Sequence, residues 1–76
     1  MQWTQTIEGV TMEVQSTHTG LPPDDKSKLS LNRSATFWRV NGGPWHFSAM
    51  RSHHETVKNL PAMVELLVEW NLINRV

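Results

Sequence analysis

Most of the histidine side chains lie in the C-terminal half of the chain, where they could bind a metal ion. Three of the four histidines and one glutamate follow one another closely: His46, His53, His54 and Glu55. Imidazole and carboxylate groups are ligands that zinc and similar ions prefer. However, neighbouring helical positions point about 100° apart, and the sequence has no His-x-x-x-His pair. This spacing favours surface and helix-end roles, so the sequence predicts no metal site and no cofactor.

Ser52 and the His-His-Glu that follows it contain the residue types of a nucleophilic catalyst. A serine nucleophile needs a histidine base and an acid that orients this base. The same residues also form a helix capping box, in which Ser52 accepts a backbone hydrogen bond and Glu55 reaches back to it. Capping explains both residues without catalysis, and the chain contains no cysteine. Gly42-Gly43 lacks the following helix that a phosphate-binding loop requires. The sequence therefore predicts a protein that is not an enzyme.

The central part of the chain could instead bind nucleic acid. Arg39, Phe37, His46 and Arg33 on an exposed face of the sheet would combine phosphate contacts with a stacking ring. Residues 26–58 contain six basic residues and one acidic residue, a net charge of +5, whereas residues 1–25 contain four acidic residues and no basic one. The overall net charge of zero argues against charge-driven binding to long nucleic acid. A nucleic-acid-binding or regulatory module that uses this basic hairpin is therefore the alternative prediction.

Large apolar side chains near the C-terminus indicate a protein-binding surface. From Leu60 to Ile73 the apolar residues cover about 220° of a helical wheel, more than the ~100° needed to rest on one sheet. The surplus contains Leu66, Trp70 and Ile73. A partner protein or a second copy of the chain would remove this surplus from water. The four tryptophans support this prediction, because tryptophan often dominates interface energetics, although small cores also use large aromatic residues.

These observations predict a small non-enzymatic protein that acts through protein–protein interaction, including self-association as a homodimer. The expected partner-binding residues lie on the helix and the central hairpin: Leu66, Trp70, Ile73, Phe37, Arg39 and His46. Accessory proteins of phages and mobile elements that inhibit or modulate host machinery are often this small, so this class is expected by analogy. The absence of cysteine, of a secretory signal pattern and of a ~20-residue apolar run predicts a cytoplasmic location and no membrane partner.

The elements that would position these residues begin with a β-hairpin over residues 2–16. Apolar and polar side chains alternate on both sides of Glu8-Gly9, which is typical of two strands joined by a two-residue turn. We expect Ile7 to lie opposite Val10. This register places five apolar residues on one face of the sheet: Trp3, Ile7, Val10, Met12 and Val14.

A second hairpin is predicted over residues 28–49, after a loop at residues 17–27 whose glycine and prolines oppose regular structure. A break near residues 32–34, or a short helix over residues 24–33, would account for a change in the phase of the apolar residues. The loop is predicted to cross between the hairpins, and it could cover Phe37. After a turn at Asn-Gly-Gly-Pro, the predicted register places four residues on the helix side: Trp38, Val40, Trp45 and Phe47. Three residues then face the other way: Phe37, Arg39 and His46.

A C-terminal helix is predicted over about residues 53–73, with a start or break near Pro61. Proline costs about 3 kcal/mol inside a helix but is tolerated in the first turn, so a main helix that starts near Pro61 is the simplest prediction. Asn71 indicates that the helix frays or is capped there. Together the 76 residues predict one α+β domain: a small antiparallel sheet of two hairpins, about four strands, with one C-terminal helix packed on one face.

Overall fold

The computed structural model of the protein describes residues 2–49 and 52–73. Within them lie four strands and one helix: β1 (Gln2–Ile7), β2 (Val10–Thr17), β3 (Ala35–Val40), β4 (His46–Phe47) and α1 (His53–Glu69). The strands form one antiparallel sheet in the order β1-β2-β3-β4, and α1 packs on one face of it, mainly over β2. The predicted α+β fold, with two antiparallel hairpins and one C-terminal helix, is confirmed.

The first hairpin has the predicted register. Ile7 lies opposite Val10, and the pairing continues without interruption along the whole of β1. The turn residues Glu8 and Gly9 both have positive φ angles, 50° and 79°. This combination defines a type I′ turn, whose twist matches the twist of the two strands. The turn and the alternating side chains therefore specify the same register.

The core lies between α1 and the face of the sheet on which β2 places its apolar side chains. Val10, Met12 and Val14 are at most 3% exposed, and they pack against Leu60 and Val64 of α1. Five partly buried residues surround this cluster: Trp3, Trp38, Val40, Val57 and Val68. Burying an aliphatic side chain contributes roughly 1.5–3 kcal/mol. This small cluster therefore helps to hold the helix on the sheet.

The second hairpin has a different register from the predicted one. Phe37 lies opposite Phe47, and Trp38 lies opposite His46. Because residues opposite each other share a face, His46 lies on the helix side with Trp38. Phe47 lies on the other side of the sheet with Phe37. The prediction was right for Trp38 and for the neighbouring Val40, but it was wrong for the β4 residues.

The turn of the second hairpin explains this shift. Asn41-Gly42 has φ angles of 52° and 69°, again a type I′ turn, and the N–H of Gly43 closes it with a 3.0 Å hydrogen bond to the residue before the turn. Regular pairing from this turn would bring Trp45 to the helix side. Pairing resumes only at His46, one residue later, because Pro44 has no N–H to donate to the ladder. A shift of one residue turns every following side chain to the opposite face, so Trp45 is also placed away from the helix.

The connection between the hairpins is longer than predicted. β3 begins at Ala35 rather than at residue 28, and residues 18–34 form neither a strand nor the alternative short helix. The N–H of Leu31 donates to the carbonyl of Thr19 at 2.7 Å, which closes the loop on itself. Asn32 has a φ angle of 53°, and this conformation interrupts an extended chain. Local hydrogen bonds within the loop thus replace the strand that the apolar residues indicated.

The helix is continuous from His53 to Glu69, so the predicted start or break near Pro61 is wrong. Pro61 lies in the third turn, where its missing N–H and its ring should be costly. Leu60 and Val64, on either side of it, are only 1% and 4% exposed. The burial of these two side chains against the sheet offsets the local cost of the proline.

Both ends of the helix have specific caps. The Oγ of Ser52 accepts a 3.2 Å hydrogen bond from the N–H of Glu55, as the capping box predicts. At the other end Asn71 adopts a φ angle of 58°, and the N–H of Leu72 donates to the carbonyl of Leu67 at 2.9 Å. This pattern is a Schellman motif. The helix therefore ends at Glu69, before the predicted residue 73, and Asn71 caps it as anticipated.

Candidate functional site

Three apolar side chains are exposed along the side of α1 that faces β4. Met63 is 36% exposed, Leu66 is 47% exposed and Trp70 is 65% exposed. Their spacings of three and four residues place them in one row along the helix. Leu60 and Val64 on the adjoining side lie in the core. The row is the part of the wide apolar arc that the sheet leaves uncovered, as expected for Leu66 and Trp70.

Two grooves lie beside this row, and Trp38 lines both of them. A groove of about 460 Å³ opens between β4 and the first half of the helix, and its lining includes Phe47, Asn59 and Met63. A second groove of about 430 Å³ lies nearer the helix C-terminus, where its lining includes Leu72. The row and the two grooves together are called the β4-side surface below. This surface offers both protruding apolar side chains and recesses that could receive the side chains of a partner.

His46 belongs to the β4-side surface. Its ring stacks on Trp38, with 4.4 Å between the ring centroids and an angle of 29° between the planes. The residue is exposed, and it lines the groove near the helix C-terminus. The sequence placed His46 with Phe37 and Arg39, but the register of β4 separates it from both. Its flat, polar edge could donate or accept a hydrogen bond at the border of an apolar contact.

The C-terminal cap completes the β4-side surface. Leu72 is 67% exposed and Ile73 is half-buried, and both line the second groove. The positive φ angle of Asn71 turns the chain back after the helix, which brings these side chains beside Leu67. Sequence reasoning selected Ile73 but missed Leu72. In a helix extended to residue 73, these neighbouring side chains would point in different directions and would not line one groove.

On the opposite face of the sheet, Arg39 is held by its neighbours. Its guanidinium donates two hydrogen bonds, of 3.0 and 2.9 Å, to the carboxylate of Glu13 on the adjacent strand. Its Cζ atom also lies 4.5 Å from the centroid of the Trp45 ring. Hydrogen bonding to Glu13 raises the pKa of Arg39 above its ordinary value, and the negative charge of Asp24 in the loop acts in the same direction. Arg39 is therefore already paired with a carboxylate, and the loop approaches this face.

Phe37 is only 4% exposed, so it cannot serve as the exposed stacking ring that the sequence suggested. It lies on the face away from α1, with its ring centroid 5.8 Å from that of Phe47. The helix is on the other side of the sheet, so this burial comes from the face that Phe37 shares with Phe47. Phe37, Arg39 and His46 thus form no common surface.

The polar residues around the start of α1 form a hydrogen-bonded cluster. Ser48 Oγ lies 2.6 Å from Thr56 Oγ1, and Ser16 Oγ lies 3.5 Å from Nδ1 of His53. Partial burial lowers the pKa of His53, and the charge of the adjacent His54 adds to the effect. Within the described ranges, every buried side-chain nitrogen or oxygen has a hydrogen-bond partner. These contacts fasten the start of the helix to the sheet.

Comparison of the chain with protein-family models, curated proteins and solved structures finds no match. In residues 2–49 and 52–73, no three histidine or acidic side chains converge in a way that could hold a metal ion. Across the same two ranges, no helix combines the length and the apolar character needed to cross a bilayer. The β4-side surface combines exposed apolar side chains with two grooves.

Proposed function

We propose that the protein acts by binding another protein through the β4-side surface. The observation that carries this proposal is the row Met63, Leu66 and Trp70, which is 36–65% exposed beside two grooves. Small soluble domains rarely leave neighbouring large apolar side chains in water without a binding role. Tryptophan in such a position is the residue type that most often dominates interface energetics.

The exposed row makes no essential contribution to the core. Leu60 and Val64 hold α1 on the sheet, whereas the side chains of Leu66 and Trp70 project outside that cluster. Substitutions at exposed positions usually change the free energy of unfolding by no more than about 0.5 kcal/mol. Stability therefore gives little reason for a leucine and a tryptophan at these positions, and binding gives a direct one.

The kind of partner follows from the shape of the surface. The two grooves, of about 460 and 430 Å³, could each receive one or two apolar side chains from a partner. Asn59 and His46 lie at the grooves and could supply hydrogen bonds around such contacts. The partner we propose is a cytoplasmic host protein that an accessory protein of a phage or mobile element inhibits or modulates; its support is the small size of the chain.

Capture of partners from a lysate of the source cells tests this proposal when matched variants are compared. Leu66→Ser and Trp70→Ser should each reduce the captured partner at least tenfold. Leu29→Ser is the matched control, because Leu29 is 71% exposed in the loop, away from the β4-side surface. Circular dichroism and thermal unfolding should show that all three variants remain folded. Equal capture by every variant, or equal loss with Leu29→Ser, would reject the proposed surface.

The nucleic-acid alternative is examined with the same proteins. Labelled duplex and single-stranded DNA and RNA are titrated at low and high salt with wild type and Arg39→Ala. Binding that weakens with salt and with Arg39→Ala, but not with Trp70→Ser, would favour the basic hairpin. The structure gives this alternative less support, because Arg39 is paired with Glu13 and Phe37 is buried.

A further inference from the structure

The outer edge of β1 is a regular strand edge without the usual protection against pairing. β1 is the first strand in the sheet order, and no strand of the described residues lies beyond it. Its sequence over Gln2–Ile7, QWTQTI, contains no charged residue and no proline, and its pairing with β2 contains no bulge. Edge strands are normally short, charged, bulged or interrupted by proline, because an open edge can pair with another chain. β4, at the other edge, has only two residues and follows Pro44.

The backbone hydrogen-bonding groups of three β1 residues point to this open edge. The N–H of Thr11 donates to Oδ1 of Asn41, and its carbonyl accepts from the N–H of Asn41. Thr11 therefore directs its backbone groups toward β3, and not toward Thr6, which lies opposite it in β1. Since hydrogen-bonded and non-hydrogen-bonded pairs alternate along an antiparallel ladder, Gln2, Thr4 and Thr6 direct their N–H and C=O groups away from β2.

We propose that β1 pairs in antiparallel orientation with β1 of a second copy of this chain. The product is a two-fold symmetric dimer with one continuous eight-stranded sheet. The symmetry axis is perpendicular to the sheet, so both helices lie on the same face of it. Residues that lie opposite each other across the new junction then share a face, as they do within the sheet.

Two central pairings satisfy this symmetry, with either Thr4 or Gln5 opposite itself. The arrangement centred on Gln5 places Trp3 opposite Ile7 of the second copy. Trp3 is half-buried and Ile7 is 41% exposed, and both side chains lie on the helix side. An aromatic residue opposite a β-branched one is a favourable cross-strand pair. By symmetry this pair forms twice, so we assign the arrangement centred on Gln5.

The features of this edge fit a second copy as the occupant. An uncharged strand can meet its own copy without like-charge repulsion, and Trp3 and Ile7 complement each other across the axis. The helix packs mainly over β2, which leaves a groove of about 350 Å³ with Ile7 and Pro61 in its lining on the β1 side. The β4-side surface lies at the far edge of the sheet, so dimerisation does not depend on the proposed partner binding.

Cysteine cross-linking tests the pairing, because the natural chain has no cysteine. Under mild oxidation, Gln5→Cys should form a disulfide-linked dimer at least ten times faster than Leu29→Cys, whose exposed loop position reports random collision. Fastest cross-linking of Thr4→Cys would retain the strand pairing but overturn the arrangement centred on Gln5. Equal rates for all three variants would overturn the proposal.

Sedimentation of the natural, cysteine-free protein gives a second, independent measurement. Wild type should sediment as a dimer, and Thr4→Pro should sediment as a monomer with an unchanged circular dichroism spectrum. Proline at this position removes an N–H that points to the open edge, so the bonds between β1 and β2 remain. A monomeric wild type, or a dimer that survives Thr4→Pro, would overturn the proposal. If Thr4→Pro does not fold, the cross-linking rates decide.

Trp70→Ser separates this inference from the proposed function. The variant should remain dimeric, because Trp70 is not on the β1 edge. Loss of the dimer in Trp70→Ser, with slow cross-linking of Gln5→Cys, would show that self-association uses the β4-side surface instead. The experiments can therefore disprove dimerisation through β1 while supporting partner binding. They can equally disprove partner binding while supporting dimerisation.

Discussion

The two hairpins of the sheet start from the same type of turn and produce different edges. Glu8-Gly9 and Asn41-Gly42 both have two consecutive positive φ angles. In the first hairpin, pairing runs unbroken through all six residues of β1. In the second, one extra residue after Pro44 shifts the register, and only two residues of β4 join the sheet. The register shift beside Pro44 thus distinguishes the short edge of β4 from the long, regular edge of β1.

This difference determines what each side of the molecule can bind. The β1 side presents backbone donors and acceptors in a regular row, which suits pairing with another strand. The β4 side presents little backbone but exposes side chains and grooves, because two residues cannot cover the flank of α1. The helix lies between the two sides, mainly over β2. One small core therefore supports two surfaces with different binding chemistry.

The largest expected effect comes from the residue that joins both hairpins to the helix. Leu60 is 1% exposed in the core cluster, and Leu60→Ala should reduce the free energy of unfolding by about 2–5 kcal/mol. Urea unfolding followed by tryptophan fluorescence and circular dichroism measures this loss. Leu66→Ala removes the same atoms from an exposed position and should cost no more than about 0.5 kcal/mol. Similar losses in the two variants would show that α1 is held by more than the described core.

The second-largest expected effect is a loss of stability when the hydrogen bond that links the two hairpins is removed. Asn41 adopts a φ angle of 52°, and its Oδ1 accepts a 2.9 Å hydrogen bond from the N–H of Thr11 in β2. Asn41→Ala should cost about 1–3 kcal/mol, because alanine resists this φ angle and the Thr11 N–H loses its acceptor. Asn41→Asp keeps both features and is the matched control. Urea unfolding of the two variants checks the difference, and equal stability would mean that the side chain does not hold the turn.

The first hairpin could be predicted in detail because two independent signals coincide there. Glu8-Gly9 specifies a two-residue turn, and the apolar positions on both sides alternate in phase with it, so Ile7 opposite Val10 follows directly. In the second hairpin, Asn41-Gly42 specifies the turn equally well. Aromatic side chains occur on both faces, however, so alternation could not reveal the extra residue before β4. The sequence therefore could not show on which face of the sheet Trp45, His46 and Phe47 lie.

The helix also shows that local sequence signals cannot predict effects that depend on tertiary contacts. The cost of Pro61 is local and can be read from the sequence, whereas the burial of Leu60 and Val64 depends on a sheet that the local sequence does not describe. Leu66 and Trp70 could be found from the width of the apolar arc. Phe47 and Leu72 could not, because their exposure depends on the register of β4 and on the C-terminal cap.

The smallest expected effect is a pH dependence at the junction of both hairpins and the helix. His53 Nδ1 lies 3.5 Å from Ser16 Oγ of β2, which in turn lies 3.1 Å from Thr36 Oγ1 of β3. Burial lowers the pKa of His53 below its ordinary value of about 6.5. The unfolded chain therefore binds this proton more readily than the folded chain, so the stabilising contribution is complete above the ordinary pKa. It is lost as the pH falls through that value toward the lowered pKa of the folded state.

Urea midpoints measured between about pH 8 and about pH 5 check this dependence. The wild-type midpoint should fall over the acidic half of that range, and His53→Gln should reduce the fall. His18→Gln, at an exposed position of the loop, is the matched control and should behave as wild type. Protonation of His53 should weaken the junction of the helix with both hairpins and leave the edge of β1 intact. Cross-linking of Gln5→Cys should therefore persist at acidic pH. Because thiols react more slowly in acid, its rate is compared with the rate of Leu29→Cys at the same pH. A selective loss of cross-linking would mean that the two sides of the molecule are coupled through His53.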